Sequence, residues 1–184
     1  MAQGFKNTRK GLHARFNAEE AELLQRLFHD VAEALAPEHD ETQDAFAALV
    51  GISENASIPE DPAVARMLPV ASDDPEVADE YRRYTDLSLR QIKIGNLKLA
   101  ALDLESHDVY LNAEHARAWA AALNDVRLTL AARLEITAEE DAEKISNYTD
   151  WSSVDTVEDY MALVYNFVTW LLDTLMETML DSLK

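Results

Sequence analysis

The sequence predicts an all-α fold: a helical bundle around a long central helix, with a small β-hairpin at its N-terminus. Three observations carry that expectation. Gly and Pro number only 4 and 5 in 184 residues, whereas a chain of many short strands needs turn residues throughout. Apolar residues recur at helical spacing over long uninterrupted stretches. Capping residues (Asn17, Asp61, Asp74, Asn112 and Thr156) stand just ahead of those stretches.

Residues 1–16 read as the hairpin: Phe5-Lys6, a turn through Asn7-Thr8-Arg9-Lys10-Gly11, then Leu12, Ala14 and Phe16 alternating with polar residues. Asn17, with Glu20 three residues on, opens a helix over 17–36, and Pro37 stops it. Leu24, Leu27, Phe28, Val31 and Leu35 form its apolar stripe. A polar segment leads to a short helix over 44–50, which Gly51 ends. Asp61-Pro62 begins a helical turn over 62–68, closed by Pro69. Asp74-Pro75 then opens the longest pattern, 75–105. Val77, Tyr81, Tyr84, Ser88, Ile92, Leu99 and Leu102 share one face of it; Leu87, Ile94, Leu97, Ala101 and Leu104 lie opposite. A helix apolar on two sides is expected at the centre of a bundle. Gly95 within it is expected to allow a close helix crossing.

Val109-Tyr110-Leu111 is a short extended link able to add a strand to the hairpin. Asn112 caps a helix over 113–136 that turns Ala116, Trp119, Ala120, Leu123, Val126, Leu130 and Leu134 inward. Thr137 with Glu140 forms a second capping box, but residues 138–153 are polar and carry no clear period. Thr156 with Asp159 starts the last helix, 157–183. No break is long enough for a domain boundary, so residues 1–184 are expected to form a single domain. A chain of that length buries roughly 70% of its unfolded surface and needs no covalent staple.

Composition excludes several kinds of chemistry. With no Cys, disulfides, thiolate metal sites and cysteine nucleophiles are out of reach. The formal charge is −19, which disfavours a nucleic-acid or anionic-membrane surface. Residues 1–18 hold Lys6, Arg9, Lys10 and Arg15, and all 35 acids lie beyond them. That basic start is either an arm for an acidic partner or a solvated edge whose charges discourage strand pairing. No apolar run of a secretory signal follows Met1. The apolar stretch 160–180 is interrupted by Asn166, Asp173 and Glu177, and an ionised carboxylate near mid-bilayer costs about 2.5–3.5 kcal/mol. The chain therefore reads as cytoplasmic, with no membrane partner.

No residue pattern signals an enzyme. None of the histidines (His13, His29, His39, His107, His115) has Glu three residues before it, and His-Glu-x-x-His is absent, so neither metal nor cofactor is expected. His29-Asp30, His39-Asp40 and His107-Asp108 match the dipeptide of helical phosphohydrolases, but His29 points away from its helix's apolar stripe and the others fall in connections. Gly51-Ile52-Ser53-Glu54-Asn55 lacks the second Gly of a nucleophile elbow. Two arginines stand out, because Arg127 lies one turn after Leu123 on an inward face and Arg90 sits on an apolar stripe. Such a guanidinium must be paired, snorkelled to the surface or solvated by a cleft. It marks either an anion or substrate pocket or an ion pair between helices, with Asp79, Glu80, Asp86 or Asp125 as the acid. On the last helix, Tyr160, Leu163, Val164, Phe167, Trp170 and Leu171 are expected to face the core. Met161, Tyr165, Leu172, Met176, Met179 and Leu183 form a second stripe, expected to meet a partner, in the first instance a second copy of the chain.

Several runs together carry a resemblance: Asp61-Pro62-Ala63-Val64-Ala65-Arg66-Met67-Leu68-Pro69, Asp73-Asp74-Pro75-Glu76, Glu80-Tyr81-Arg82-Arg83-Tyr84-Thr85 with Leu89-Arg90, and Leu123-Asn124-Asp125-Val126-Arg127-Leu128. From Phe5 to Leu183 the chain resembles an actinobacterial family known as a domain of unknown function, numbered two thousand and seventeen. The resemblance brings no activity, cofactor or catalytic residue. It implies a genomic setting beside the adaptor that feeds substrates to the Clp protease, and a regulatory role. The expectation is thus a cytoplasmic protein-interaction or regulatory module associated with Clp-dependent proteolysis. The alternative is a small-molecule or anion-binding protein, or a hydrolase, built on Arg90 and Arg127.

Overall fold

The computed structural model describes residues 3–37 and 57–182, with only the backbone of Ser153. The helix expected over 44–50 and His39 lie outside the described residues, as does Leu183.

Strands β1 (Gln3–Thr8), β2 (Gly11–Arg15) and β3 (Asp108–Leu111) form an antiparallel sheet in that order. The link through Tyr110 thus does extend the hairpin, with Leu12 opposite Leu111 and Ala14 opposite Val109. The strict alternation sends Leu12, Ala14, Val109 and Leu111 inward. Gly11 has φ 116°, and a Cβ there would sit 2.5 Å from the Leu111 carbonyl oxygen, so the turn admits no side chain.

Among the described residues there are six α-helices: α1 (Ala18–Ala34), α2 (Pro62–Met67), α3 (Pro75–Asp103), α4 (Ala113–Arg133), α5 (Glu139–Ser146) and α6 (Val157–Asp181). Asn17 and Glu20 cap α1 reciprocally: each side chain accepts the other's backbone N–H, at 2.8 and 2.9 Å. Thr156 and Asp159 close α6 in the same way.

The expected arrangement around 75–105 needs correction. The buried helix is α4, which packs against α1, α2, α3 and α6 and buries Ala116, Trp119, Ala122, Leu123, Val126 and Leu130. The longer α3 lies on α1 and α4 and buries only Ala78, Arg82, Asp86, Leu97 and Ala100. Its stripe of Val77, Tyr81, Tyr84, Ile92 and Leu102 is more than half exposed. Periodicity showed two apolar sides; it could not show that one of them would go uncovered. Gly95 is not a crossing point either, since an added Cβ would meet nothing within 4 Å.

Trp119 is the hub of the core, with its ring centroid 5.6 Å from Phe5, 6.0 Å from Phe16 and 5.7 Å from Phe28. Its buried indole N–H donates to Asp103 (2.9 Å), whose carboxylate also meets Nδ1 of His115. One residue therefore joins β1, the Phe16 link between β2 and α1, α1 itself and the end of α3. α6 closes the free edge of β1: the Phe5 N–H donates to the Thr174 hydroxyl at 3.2 Å, and the Thr178 hydroxyl donates to the Phe5 carbonyl at 3.0 Å.

α5 forms where no period is visible in the sequence. The N–H groups of Thr137 and Ala138 converge on Asp141, each at 3.2 Å, so the cap closes one residue later than Thr137 and Glu140 suggest. α5 buries no residue fully and lies against α6. α4 ends earlier than 136, because Glu135 takes φ 54°. The Ile136 N–H then reaches back to the Ala131 carbonyl at 2.9 Å.

A candidate peptide groove between the first and last helices

The arginines singled out by sequence engage separate partners. Arg90 donates through Nε to Asp86 at 2.7 Å and through Nη1 to the Leu35 carbonyl at 3.1 Å. It thereby sets a positive charge at the carbonyl end of α1, where the helix dipole favours one. Arg127 donates to the Asn124 side-chain oxygen at 2.8 Å. Its Nε is buried without a partner, and no carboxylate pairs with it among the described residues. Asp125 instead pairs with Lys93, Nζ to Oδ1 at 2.7 Å. Burial pushes the Asp125 carboxyl above its ordinary range, while the Lys93 hydrogen bond and charge pull it back. Glu80 is exposed. Arg82, Asp86, Arg90 and Lys93 follow one another at helical spacing along α3, forming a charged seam rather than one open site.

The last helix divides its second stripe differently from expectation. Leu172 is buried, Met161 is half-buried, and Tyr165 and Met179 are half-buried against the core. Met176 is exposed. Tyr160 and Trp170, expected inward, are instead about two-fifths exposed.

Those two rings belong to a groove of about 750 Å³, partly open to solvent. α1 contributes Glu19, Glu22, Leu23 and Arg26; α6 contributes Tyr160, Leu163, Asn166, Phe167 and Trp170; the connection before α6 contributes Tyr148 and Trp151. Buried Leu163 and half-buried Leu23 and Phe167 form its apolar lining. Trp151 and Tyr160 meet edge to face at 6.1 Å, and Phe167 stacks on Trp170 at 6.2 Å. Asn166 holds the far wall. Its Nδ2 donates to the carbonyls of Ile145 (2.7 Å) and Tyr148 (2.8 Å), pinning the connection to α6.

At the rim, Glu22 pairs with Arg26 at 3.1 Å, both well exposed, and Glu20 serves the α1 cap. Glu19 has no ion pair among the described residues. Two aromatics, Tyr148 and Trp151, in an otherwise polar stretch were the available sequence signal for this groove.

Among the described residues no group of three or more His, Asp or Glu side chains could hold an ion. His29 pairs with Glu33 at 3.4 Å on the surface of α1, and His107 is an exposed connection residue whose carbonyl accepts the Phe16 N–H. No helix among the described residues is long and apolar enough to cross a membrane.

The family model described as Domain of unknown function (DUF2017) matches residues 2–179. No curated protein and no solved structure matches the chain.

Proposed function

We propose that this chain, which belongs to the DUF2017 family, is a protein-interaction module that seats a short extended peptide of a partner in the α1–α6 groove. The observation that carries the proposal is the groove's aromatic wall. Trp151 and Trp170 are 48% and 41% exposed, and large aromatic rings left open beside an apolar floor are the usual anchors of protein recognition. The groove is partly open to solvent rather than closed over, which suits a segment of a partner chain better than an enclosed small ligand. Arg90 and Arg127 give less support to an anion-binding or hydrolytic protein, since each has its own internal partner. Clp-dependent proteolysis is the setting we propose for the module, on the resemblance alone.

Selection of random nonapeptides displayed on phage tests the proposal. The full chain should enrich a peptide class, and Trp170→Ala and Trp151→Ala should each weaken its binding about ten-fold or more with thermal melting little changed. Enriched peptides that bind both variants as well as the parent would place recognition elsewhere and defeat the proposal.

A further inference from the structure

We propose that the occupant of the groove carries an arginine or lysine side chain, seated over the exposed rings and facing the glutamates of α1; this rests on the peptide-docking reading above. Two independent features converge on a cation. The first is the density of π surface. Tyr148, Trp151, Tyr160, Phe167 and Trp170 line one open groove, and the negative face of an aromatic ring attracts a guanidinium or ammonium group.

The second is charge. Glu19 and Glu22 stand at the groove with Arg26 as the cation among its lining residues, and Glu22 already meets it at 3.1 Å. Glu19 and Glu20 lie in the first turn of α1 and favour its positive end, but Glu22 lies beyond that turn. On α6, Asp173 and Glu177 follow Trp170 at helical spacing and are exposed, so the negative field continues past the groove. The chain as a whole carries −19, which steers cationic segments inward and repels anionic ones.

Arg26 is no substitute for the occupant's cation. Its pairing with Glu22 is local, one turn apart on α1, and leaves Glu19 without an ion-pair partner among the described residues. An arginine arriving in the groove would find the rings and the Glu19 carboxylate together, which a neutral or acidic residue could not use.

The test takes fluorescein-labelled nonapeptides from the selection in matched sets that differ at one position: Arg, Lys, citrulline or Glu. Binding to the full chain is read by fluorescence anisotropy. The Arg and Lys peptides should bind about ten-fold tighter than the citrulline peptide, and the Glu peptide weakest. Raising salt from about 0.05 to 0.5 M should narrow that gap. The double variant Glu19→Gln/Glu22→Gln, on exposed positions that leave the core untouched, should narrow it several-fold. If citrulline and Glu peptides bind as tightly as Arg while Trp170→Ala still abolishes binding, the cation is refuted and the groove remains a peptide site. If no peptide binds in a Trp170-dependent way, the docking reading falls and this inference with it.

Discussion

Asp125 is 1% exposed, and what a buried carboxylate needs is plain from its two oxygens. One accepts from Lys93 at 2.7 Å; the other is buried with no partner. Burial raises the pKa more than Lys93 lowers it, so between the ordinary value of 3.8 and the raised one the native state binds more protons than the unfolded state. Stability from this group therefore rises as pH falls through that window and is lost as pH rises. Asp61 has the opposite sign. The 2.6 Å hydrogen bond from Arg133 lowers its pKa, so its contribution fades on acidification. Comparison with Asp125→Asn isolates the first effect, because every other carboxylate cancels in the difference. Urea unfolding of both proteins at neutral pH and at about pH 4.5 should show the wild type gaining on the variant as pH falls. A difference that is flat, or that shrinks on acidification, would mean Asp125 is not held above its ordinary range. From the sequence, Arg127 on the Leu123–Leu130 stripe is expected in a pocket or in an ion pair between helices, with Asp79, Glu80, Asp86 or Asp125 as the acid. The structure gives Asp125 to Lys93 of α3 and gives Arg127 an amide oxygen of its own helix. Spacing along one helix says which side a charge faces, and only the packing of two helices says which charge it meets.

At the scale of elements, two positions hold residues other than the ones their backbone favours. Gly95 sits inside α3 with open space where a Cβ would be, so it contributes chain freedom and no packing. Glu135 occupies the left-handed position that ends α4, where glycine is the favoured residue. Gly95→Ala and Glu135→Gly should each raise stability by about 0.5–1 kcal/mol, read as a higher urea midpoint at unchanged slope. A lower midpoint for Gly95→Ala would show that something does approach α3 there. Elements with strong period and caps were legible in advance: α1 from Asn17 and Glu20, α2 from Asp61-Pro62, α6 from Thr156 and Asp159. The third strand was legible from only three residues, because Val109 and Leu111 needed the hairpin's open edge to define their register. α5 was not legible. It buries nothing fully, and a helix held by one cap and one flank against α6 leaves little apolar period to read. The groove was hidden because one wall comes from α1 and the others from segments more than a hundred residues further along the chain, where its aromatics are surface residues.

Taken whole, the molecule has one core cluster drawn from the sheet, α1, α2, α3, α4 and α6, and its exposed large apolar residues fall into separate sets. One lines the groove: Tyr148, Trp151, Tyr160 and Trp170. Another runs along α3 from Val77 to Leu102. The stripe expected to bind a second copy belongs to neither. Leu172 is buried, and Tyr165 and Met179 pack against the core; Met176 is largely exposed and Leu180 lies beside it on the same surface. A stable dimer usually covers about 800 Å² on each partner with a well-packed apolar centre, which two exposed side chains at the end of one helix do not supply. Charge acts in the same direction, because two copies of a −19 chain repel unless the contact is rich in complementary groups. α6 has two apolar sides because it is sandwiched within its own fold, by α4 on one side and β1 on another. Met176→Lys should accordingly leave the mass found by sedimentation equilibrium unchanged from that of the wild type, with helix content preserved. If the wild type sediments as a dimer at micromolar concentration and Met176→Lys returns it to 20.7 kDa, the stripe is an interface after all. If the variant instead fails to fold, Met176 is covered in solution, and its place on an exposed surface of α6 is wrong.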